Sequence, residues 1–369
     1  MATMASAGRQ VNCAPVDRGA HVLDKTSRKL SISDRFRLME KLAGLPLLPT
    51  AIVGSYPQPD WLIDKEKLKS RLPPRVRAKE LWKVPESDLA DAQEAATLVA
   101  ISDQKLAGID IVGDGEMRRE SYSNALANSL SGIDIDKPGS AMDRTGNANP
   151  VPRVAGRISR LRAIEGDNAS FLKQRACACV KITLPGPFTM TQQAQNDFYA
   201  TDEALAMDYA VAVNEELKDL FARGVDIVQL DEPYLQARAD KARAYAIKAI
   251  DKAIEGVGGL TALHICFGYA YVHSKHGGEK QKGYDFLGEL NESKIDIISL
   301  EAAQPGLDPE PLGCLDQMPG PVPGPHEHLR AKAPQIADSG KGGCRGGPAT
   351  EHQALAHPAG TIMAPTHRR

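Results

Sequence analysis

The chain has 369 residues, of which 42% are hydrophobic and 25% are charged, and its formal net charge is -2 at pH 7. This composition is typical of a soluble globular protein, and the small net charge provides no general attraction to nucleic acid or to anionic membranes. No apolar run approaches the ~20 residues needed to cross a bilayer, and the N-terminal residues contain no apolar signal-peptide core. We therefore expect a cytoplasmic protein without nucleic-acid or membrane partners.

The first 45 residues are mixed polar and basic, which predicts a disordered N-terminal extension. From residue 46 to residue 305, apolar β-branched runs alternate with stretches rich in Ala, Leu, Glu and Lys. The runs lie at residues 51–53, 109–112, 180–184, 225–230, 261–267 and 295–300, and the candidate helices at 88–107, 201–223, 238–255 and 283–292. Apolar strands that alternate with helices predict a parallel sheet covered by helices.

Each run ends in polar or turn-forming residues. In chain order these ends are Gly54-Ser55, Asp114-Gly115-Glu116, Pro185-Gly186-Pro187, Asp231-Glu232-Pro233, His264 with Cys266, and Glu301. In a (β/α)8 TIM barrel the active site is built from the carboxyl ends of the strands, so this series favours an α/β barrel. A doubly wound open sheet is the alternative, but it usually places its chemistry at one switch point. Residues 132–175, between the second and third runs, predict a surface insertion.

A histidine and a cysteine stand two positions apart in the fifth run. In a strand, residues i and i+2 point to the same face, so His264 and Cys266 would lie side by side as half of a four-coordinate zinc site. Glu301, at the end of the next run, is a possible oxygen ligand. Taken alone, the pair is more often a hydrogen-bonded core histidine and a buried small hydrophobe.

Three other polar residues at strand ends also allow structural interpretations. Glu116 could pair with Arg118 or Arg119 in its own loop, and Asp231 could cap the following helix. Ser55 could be an ordinary turn residue. The residue types alone leave these alternatives open.

Taken together, the strand ends resemble the C-terminal catalytic domain of the cobalamin-independent methionine synthase family. The matching pieces occur in the family's order over residues 48–305: Val53-Gly54-Ser55-Tyr56-Pro57, Asp114-Gly115-Glu116, Pro185-Gly186-Pro187-Phe188-Thr189, Gln229-Leu230-Asp231-Glu232-Pro233, His264-Ile265-Cys266 and Leu300-Glu301. The resemblance implies that residues 46–305 form a TIM-barrel methyltransferase domain, in a short single-domain form.

The resemblance also implies a metal site. In that family a zinc ion held by His, Cys, Glu and a second Cys activates the thiol of homocysteine, which implies His264, Cys266 and Glu301 as ligands here. A methyl group from 5-methyltetrahydrofolate or a related donor would then reach the thiol and give methionine. No catalytic residue is assigned beyond the metal ligands.

The amino acid would be held by three further residues. The resemblance implies that Glu116 and Asp231 bind its ammonium group, while the Ser55 segment binds its carboxylate. One alternative is a zinc-dependent alkyltransferase that acts on another small thiol, such as coenzyme M. A second alternative is an inactive barrel that has lost its last zinc ligand.

The chain changes character after residue 305. Residues 306–369 contain 10 Pro and 10 Gly in 64 positions, which predicts a low-complexity, disordered tail without strands. A complete barrel needs two more strand–helix units there, so the predicted TIM barrel is incomplete after its sixth strand and the C-terminus is aberrant. Cys314 and Cys344 are the thiols of this region, and neither ends an apolar run, so we expect neither to reach the metal.

Overall fold

The computed structural model describes residues 44–46, 49–69, 76–142, 148–267, 284–301 and 361–365. Nearly all of the predicted N-terminal extension lies outside these ranges. The predicted tail also lies outside them, except for residues 361–365. The assignment of both segments as disordered therefore stays a prediction.

The described residues form strands, α-helices and two 3-10 helices. The strands are β1 (Ile111–Gly113), β2 (Leu130–Met142), β3 (Ala148–Arg160), β4 (Cys179–Pro185), β5 (Gln195–Asn196), β6 (Ile227–Asp231), β7 (Leu260–Ile265), β8 (Ile297–Glu301) and β9 (Thr361–Pro365). The α-helices are α1 (Lys65–Lys69), α2 (Leu89–Leu106), α3 (Asn124–Ala127), α4 (Gly166–Ala176), α5 (Pro187–Gln192), α6 (Asp202–Ala222), α7 (Tyr234–Ala237) and α8 (Ala239–Ala253). The 3-10 helices are Lys79–Leu81 and Gly288–Glu292.

The main sheet has the strand order β1-β4-β6-β7-β8-β9. Strands β1, β4, β6, β7 and β8 are parallel to their neighbours, and Ala51 makes an isolated parallel bridge to Ile111 beside β1. All six predicted runs therefore stand side by side in chain order. The sheet curls into a half-barrel, which confirms the prediction of a TIM barrel that is incomplete after its sixth strand.

The edge of β8 carries one more strand, β9, which pairs with it antiparallel from Thr361 to Pro365. The sequence predicts no strand in this region, so the expectation is wrong at this point. The run is only five residues long and lies among prolines and glycines, which hides it from any pattern based on composition.

The two faces of the sheet contribute to different apolar clusters. Outward side chains such as Ile182, Val228 and Leu263 pack with the helices in the main hydrophobic core. Side chains of the opposite parity, including Ile227 and Ala262, form a smaller cluster inside the half-barrel. Because successive strand residues alternate between faces, this parity predicts which polar residues face the interior.

Three of the four predicted helices occur almost as expected, as α2, α6 and α8. At the start of α6, the Thr201 hydroxyl accepts the Ala204 N–H at 3.1 Å and caps the helix. The fourth prediction, at residues 283–292, is wrong in kind, because only the 3-10 helix Gly288–Glu292 forms there. Glycine and asparagine within this segment are weak helix formers and favour the shorter element.

The segment between β1 and β4 builds a separate small sheet. Strands β2 and β3 form a long antiparallel pair that α4 follows in the chain, and β5, which comes after β4 and α5, completes this sheet by pairing in parallel with β3. This arrangement brings Glu165, the residue before α4, into a buried position. Among the described helices, none is long and apolar enough to cross a membrane.

Candidate active site

The interior face of the half-barrel changes from apolar to polar toward the carboxyl ends of its strands. In β6, Ile227 belongs to the interior apolar cluster, and Gln229 and Asp231 follow it at a spacing of two. The neighbouring strands repeat this change with Lys181 and Thr183 in β4, His264 in β7, and Ser299 and Glu301 in β8. TIM barrels carry their active sites at this end, so these side chains define the candidate site.

Ser55 and Glu116, two of the predicted site residues, are in direct contact. The exposed Ser55 hydroxyl donates a hydrogen bond of 2.8 Å to Glu116 Oε2. The buried Thr183 hydroxyl donates one of 2.7 Å to Glu116 Oε1. A Cβ on Gly54 would come within 2.8 Å of Glu116 Oε1, so this close approach requires a glycine. Both carboxylate oxygens of Glu116 are thus held in place by hydroxyl groups.

Arg119 connects this carboxylate to its surroundings. Its buried guanidinium donates from Nη1 to the Thr183 carbonyl at 2.9 Å and to the Thr183 hydroxyl at 3.1 Å. Nη1 also lies 3.8 Å from Glu116 Oε1, and Nε lies 3.0 Å from Glu165 Oε1. The pairing of Glu116 with Arg119, one of the structural alternatives, is therefore present. This pairing does not remove Glu116 from the candidate site, because its carboxylate also accepts the Thr183 hydroxyl at the carboxyl end of the strands.

A buried lysine ties the first parallel segment to the interior. Lys181 Nζ donates to the carbonyls of Ile52 and Val53 at 2.8 and 2.9 Å and to Gln229 Oε1 at 2.6 Å. The Gln229 amide in turn donates to the Val53 carbonyl at 2.9 Å and to Asp231 Oδ1 at 2.7 Å. These side-chain bonds hold the segment that leads to the Ser55 turn. They add to the isolated bridge between Ala51 and Ile111, which joins this segment to the sheet.

Burial dominates the electrostatics of the interior. It lowers the pKa of Lys181 to about 8, against the opposing effect of Asp231 and Glu116. It raises the pKa of Asp231 to about 6, and the negative charge of Glu116 adds to that rise while His264 and Lys181 oppose it. Asp231 therefore shares one electrostatic environment with Glu116.

The predicted metal ligands lie at the ends of the adjacent strands β7 and β8. His264 pairs in register with Ser299, whose hydroxyl lies 3.0 Å from His264 Nδ1. Burial lowers the pKa of His264, which favours the neutral imidazole that binds metals. Glu301 Oε2 accepts the Phe267 N–H at 3.0 Å, and Cys266 is partly buried and carries no disulfide bond.

The donor atoms of these three residues suit zinc, but their arrangement is incomplete. Imidazole nitrogen, thiolate sulfur and carboxylate oxygen are the usual zinc ligands, and Ser299 is placed as an outer partner that orients the imidazole. Among the residues that the structure describes, however, no three His, Cys, Asp or Glu side chains are grouped to hold a metal ion. Cys314 and Cys344 lie outside those residues. Zinc binding thus stays a prediction.

Glu232 has a structural place beside the site. Its fully buried carboxylate accepts the N–H groups of Phe188 and Thr189, at 3.0 and 2.7 Å, at the start of α5. A Cβ on Gly186 would collide with this carboxylate, so the close approach requires a glycine. Burial raises the pKa of Glu232 to about 8.

Several residues of the site are missed by the sequence analysis. Lys181, Thr183 and Gln229 stand inside apolar runs, at a spacing of two from one another or from Asp231. Strand parity would have placed them on the interior face. Glu165 offers no such signal, because its contact with Arg119 joins residues from distant parts of the chain.

A curled parallel sheet with acidic, imidazole and thiol side chains at its carboxyl end defines a barrel enzyme. The family model described as "Cobalamin-independent synthase, Catalytic domain" matches residues 48–311. The chain belongs to the cobalamin-independent methionine synthase family, and the match confirms the family that the strand-end motifs predict.

Individual relatives agree with this assignment. The chain is 30% identical to a methionine synthase of Sulfurisphaera tokodaii over 255 residues, which are 69% of this chain and 68% of that protein. It is 31% identical to one of Saccharolobus solfataricus over 237 residues, 63% of this chain and 66% of that protein. A solved structure, a B12-independent methionine synthase from Shewanella sp. W3-18-1 in complex with selenomethionine, is 35% identical with a TM-score of 0.65. That similarity covers 73% of this chain and 77% of the Shewanella chain, and the protein is a methyltransferase of the methionine synthase type.

Proposed function

We propose that this protein transfers a methyl group from 5-methyltetrahydrofolate, or a related methyl donor, to the thiol of homocysteine and so forms methionine. The observation that carries the proposal is the acidic pair of Glu116 and Asp231 at the carboxyl end of the barrel strands. The Shewanella relative was solved with selenomethionine, an amino acid of the same form as the proposed product.

The acidic pair supplies the recognition of the amino acid. Glu116 is fixed by the hydroxyls of Ser55 and Thr183, and Asp231 is fixed by the Gln229 amide. Two oriented carboxylates attract an ammonium group by charge-assisted hydrogen bonds. The Ser55 turn would hold the carboxylate of the amino acid. A sulfonate thiol such as coenzyme M has no ammonium group, so the acidic pair favours an amino thiol.

We further propose that a zinc ion is held by His264, Cys266 and Glu301. A bound zinc ion would deprotonate the homocysteine thiol, whose pKa of ~8.5 otherwise leaves it mostly neutral at pH 7. The chain's own contribution is to present a neutral imidazole, oriented by Ser299, beside the strand end that carries Cys266. The Tyr284 hydroxyl accepts the Glu301 N–H at 2.9 Å and donates to the Ile265 carbonyl at 3.1 Å, which joins the two strand ends.

The amino-acid site is tested by calorimetric titration of the full chain with L-methionine. Glu116→Gln removes one carboxylate charge, and we expect affinity to fall by about tenfold or more, as for the loss of a hydrogen bond to a charged group. Glu203→Gln, which changes an exposed carboxylate paired with Lys248, is the matched control and should bind like the wild type. Unchanged affinity in Glu116→Gln would contradict the proposed recognition.

The metal site is tested by zinc content and by methyl transfer to homocysteine. We expect Cys266→Ser to lose bound zinc and methyl transfer together. Cys179→Ser changes a second cysteine without a disulfide, at the amino end of β4 and thus opposite the carboxyl ends that carry the site, and should lose neither. Retained methyl transfer in zinc-free protein would refute the metal role. A wild-type protein that binds neither zinc nor L-methionine would instead support the inactive barrel.

A further inference from the structure

We infer that Arg119 is a positioning residue that fixes the direction of the Thr183 hydroxyl, and through it the Glu116 carboxylate, for recognition of the substrate ammonium group. The inference rests on the proposed function, because it concerns the same amino-acid site. Arg119 itself is assigned no contact with the substrate. It acts through Thr183.

The hydrogen-bond geometry determines where the Thr183 proton goes. A hydroxyl has one proton to donate, whereas a guanidinium can only donate. Arg119 Nη1 donates to Thr183 Oγ1 at 3.1 Å, so this side of the hydroxyl must act as an acceptor. The single proton of Thr183 is then directed to Glu116 Oε1, 2.7 Å away. Without the guanidinium, the hydroxyl could rotate and donate elsewhere.

The guanidinium is held rigidly enough for this role. Arg119 is 4% exposed, and its Nη1 also donates to the Thr183 carbonyl at 2.9 Å, which fixes it to the backbone of β4. Its Nε lies 3.0 Å from Glu165, and its Nη2 lies 3.8 Å from Asp114. Burial alone would lower the pKa of Arg119, but these two carboxylates, together with Glu116 and Asp231, outweigh it and raise the pKa above its usual value, so the side chain stays charged.

Glu116 also depends on Arg119 through its backbone. Glu116 adopts a left-handed conformation, with φ of 59°, which is unfavourable for a residue with a side chain. The Arg119 N–H donates to the Glu116 carbonyl at 3.1 Å, and the Glu116 N–H donates to Asp114 Oδ1 at 3.1 Å. The short turn from Asp114 to Arg119 therefore fixes the backbone of Glu116 relative to Arg119, the residue that directs the Thr183 hydroxyl.

The test compares two ligands that differ only in the ammonium group. L-Methionine and 4-(methylthio)butanoate, which lacks the amino group, are titrated separately into the full-length wild type and its variants. Arg119→Lys keeps the positive charge but loses the planar fork. We expect it to reduce the preference for L-methionine over the amino-free ligand by about tenfold, the size of one hydrogen bond to a charged group.

Thr183 provides the second arm of the test. Thr183→Val replaces the hydroxyl with a methyl group of similar shape and should reduce the preference by the same factor as Arg119→Lys. The double variant should be no worse than either single one, because both changes break the same connection. Thr183→Ser restores the hydroxyl and should recover the preference that Thr183→Val loses.

The outcomes separate the inference from the function on which it rests. If Arg119→Lys weakens both ligands equally, or if Thr183→Val keeps the full preference, the positioning role is overturned. A wild type that binds L-methionine no better than 4-(methylthio)butanoate overturns the proposed function, and with it this inference. If Arg119→Lys does not fold, the Thr183 variants decide the matter alone.

Discussion

The contact between Gly54 and Glu116 leads to a prediction that leaves every functional group of the site in place. We consider Gly54→Ala. The added Cβ would lie 2.8 Å from Glu116 Oε1, whereas ordinary contacts begin at 3.4 Å. The carboxylate must therefore withdraw by about 0.6 Å to reach an ordinary contact. The backbone of Gly54 is not left-handed, so alanine fits the chain itself.

The size of the effect follows from the bond that this withdrawal breaks. Glu116 Oε1 accepts the Thr183 hydroxyl at 2.7 Å. A retreat directed away from Thr183 would lengthen this bond to about 3.3 Å, beyond the range of about 2.5–3.0 Å for such bonds. A lost hydrogen bond to a charged group costs ~1.5–3 kcal/mol. We therefore expect L-methionine affinity to fall by about 10- to 100-fold.

The assay is calorimetric titration with L-methionine, accompanied by urea unfolding to measure stability. Gly288→Ala is the matched control, because a Cβ at Gly288 has nothing within 4 Å. We expect this control to keep wild-type affinity. Equal affinity of Gly54→Ala and wild type would refute the reasoning, because it would mean that the carboxylate tolerates the displacement. An equal loss in both variants would show a nonspecific effect of alanine.

Three further predictions concern stability. Burial lowers the folded-state pKa of Lys181 to about 8, so the folded protein releases this proton at a lower pH than the unfolded chain does. As the pH rises from about 8 to 10.5, the free energy of unfolding of the wild type should therefore increase relative to that of Lys181→Met, and this gain is lost as the pH falls back through 8. Burial raises the folded-state pKa of Glu232 to about 8, so wild type should lose stability relative to Glu232→Gln between about pH 4.5 and 8. Urea unfolding across pH measures both differences, and flat difference curves would contradict them. Thr201→Ala removes the cap of α6 and should cost ~1 kcal/mol at neutral pH, whereas Thr201→Ser should not; equal stability of the two variants would contradict the capping role.

The strands of the half-barrel were predictable because they are buried on both faces. A strand such as β6 then appears in sequence as an almost continuous apolar run, which needs no knowledge of its neighbours. The same apolar run gives little sign of a polar interior layer, because Gln229 is the one polar residue between Ile227 and Leu230. Alternation of the two faces shows that Gln229 and Asp231 share the interior, and this rule could have located the polar layer from sequence.

The partners of Glu116 could not be predicted in the same way. The sequence places Glu116 at a strand end, and the family resemblance implies its role. The hydroxyls that hold it come from residues 61 positions before it and 67 positions after it. Glu165 reaches Arg119 only because α4 and the strands before it fold back toward the sheet. Such contacts depend on tertiary packing, for which local patterns carry no information.

The charges of the site explain why a cation should be its ligand. Lys181 and Arg119 are the buried cations described above, and four carboxylates face them: Asp114, Glu116, Glu165 and Asp231. Burial raises the pKa of Glu165 to about 7 and of Asp231 to about 6, as expected where negative charges outnumber positive ones in a poorly solvated space. An entering ammonium group would compensate part of this excess while making hydrogen bonds to oriented oxygens. The same interior that costs folding energy in the empty protein is therefore the source of its selectivity for an amino acid.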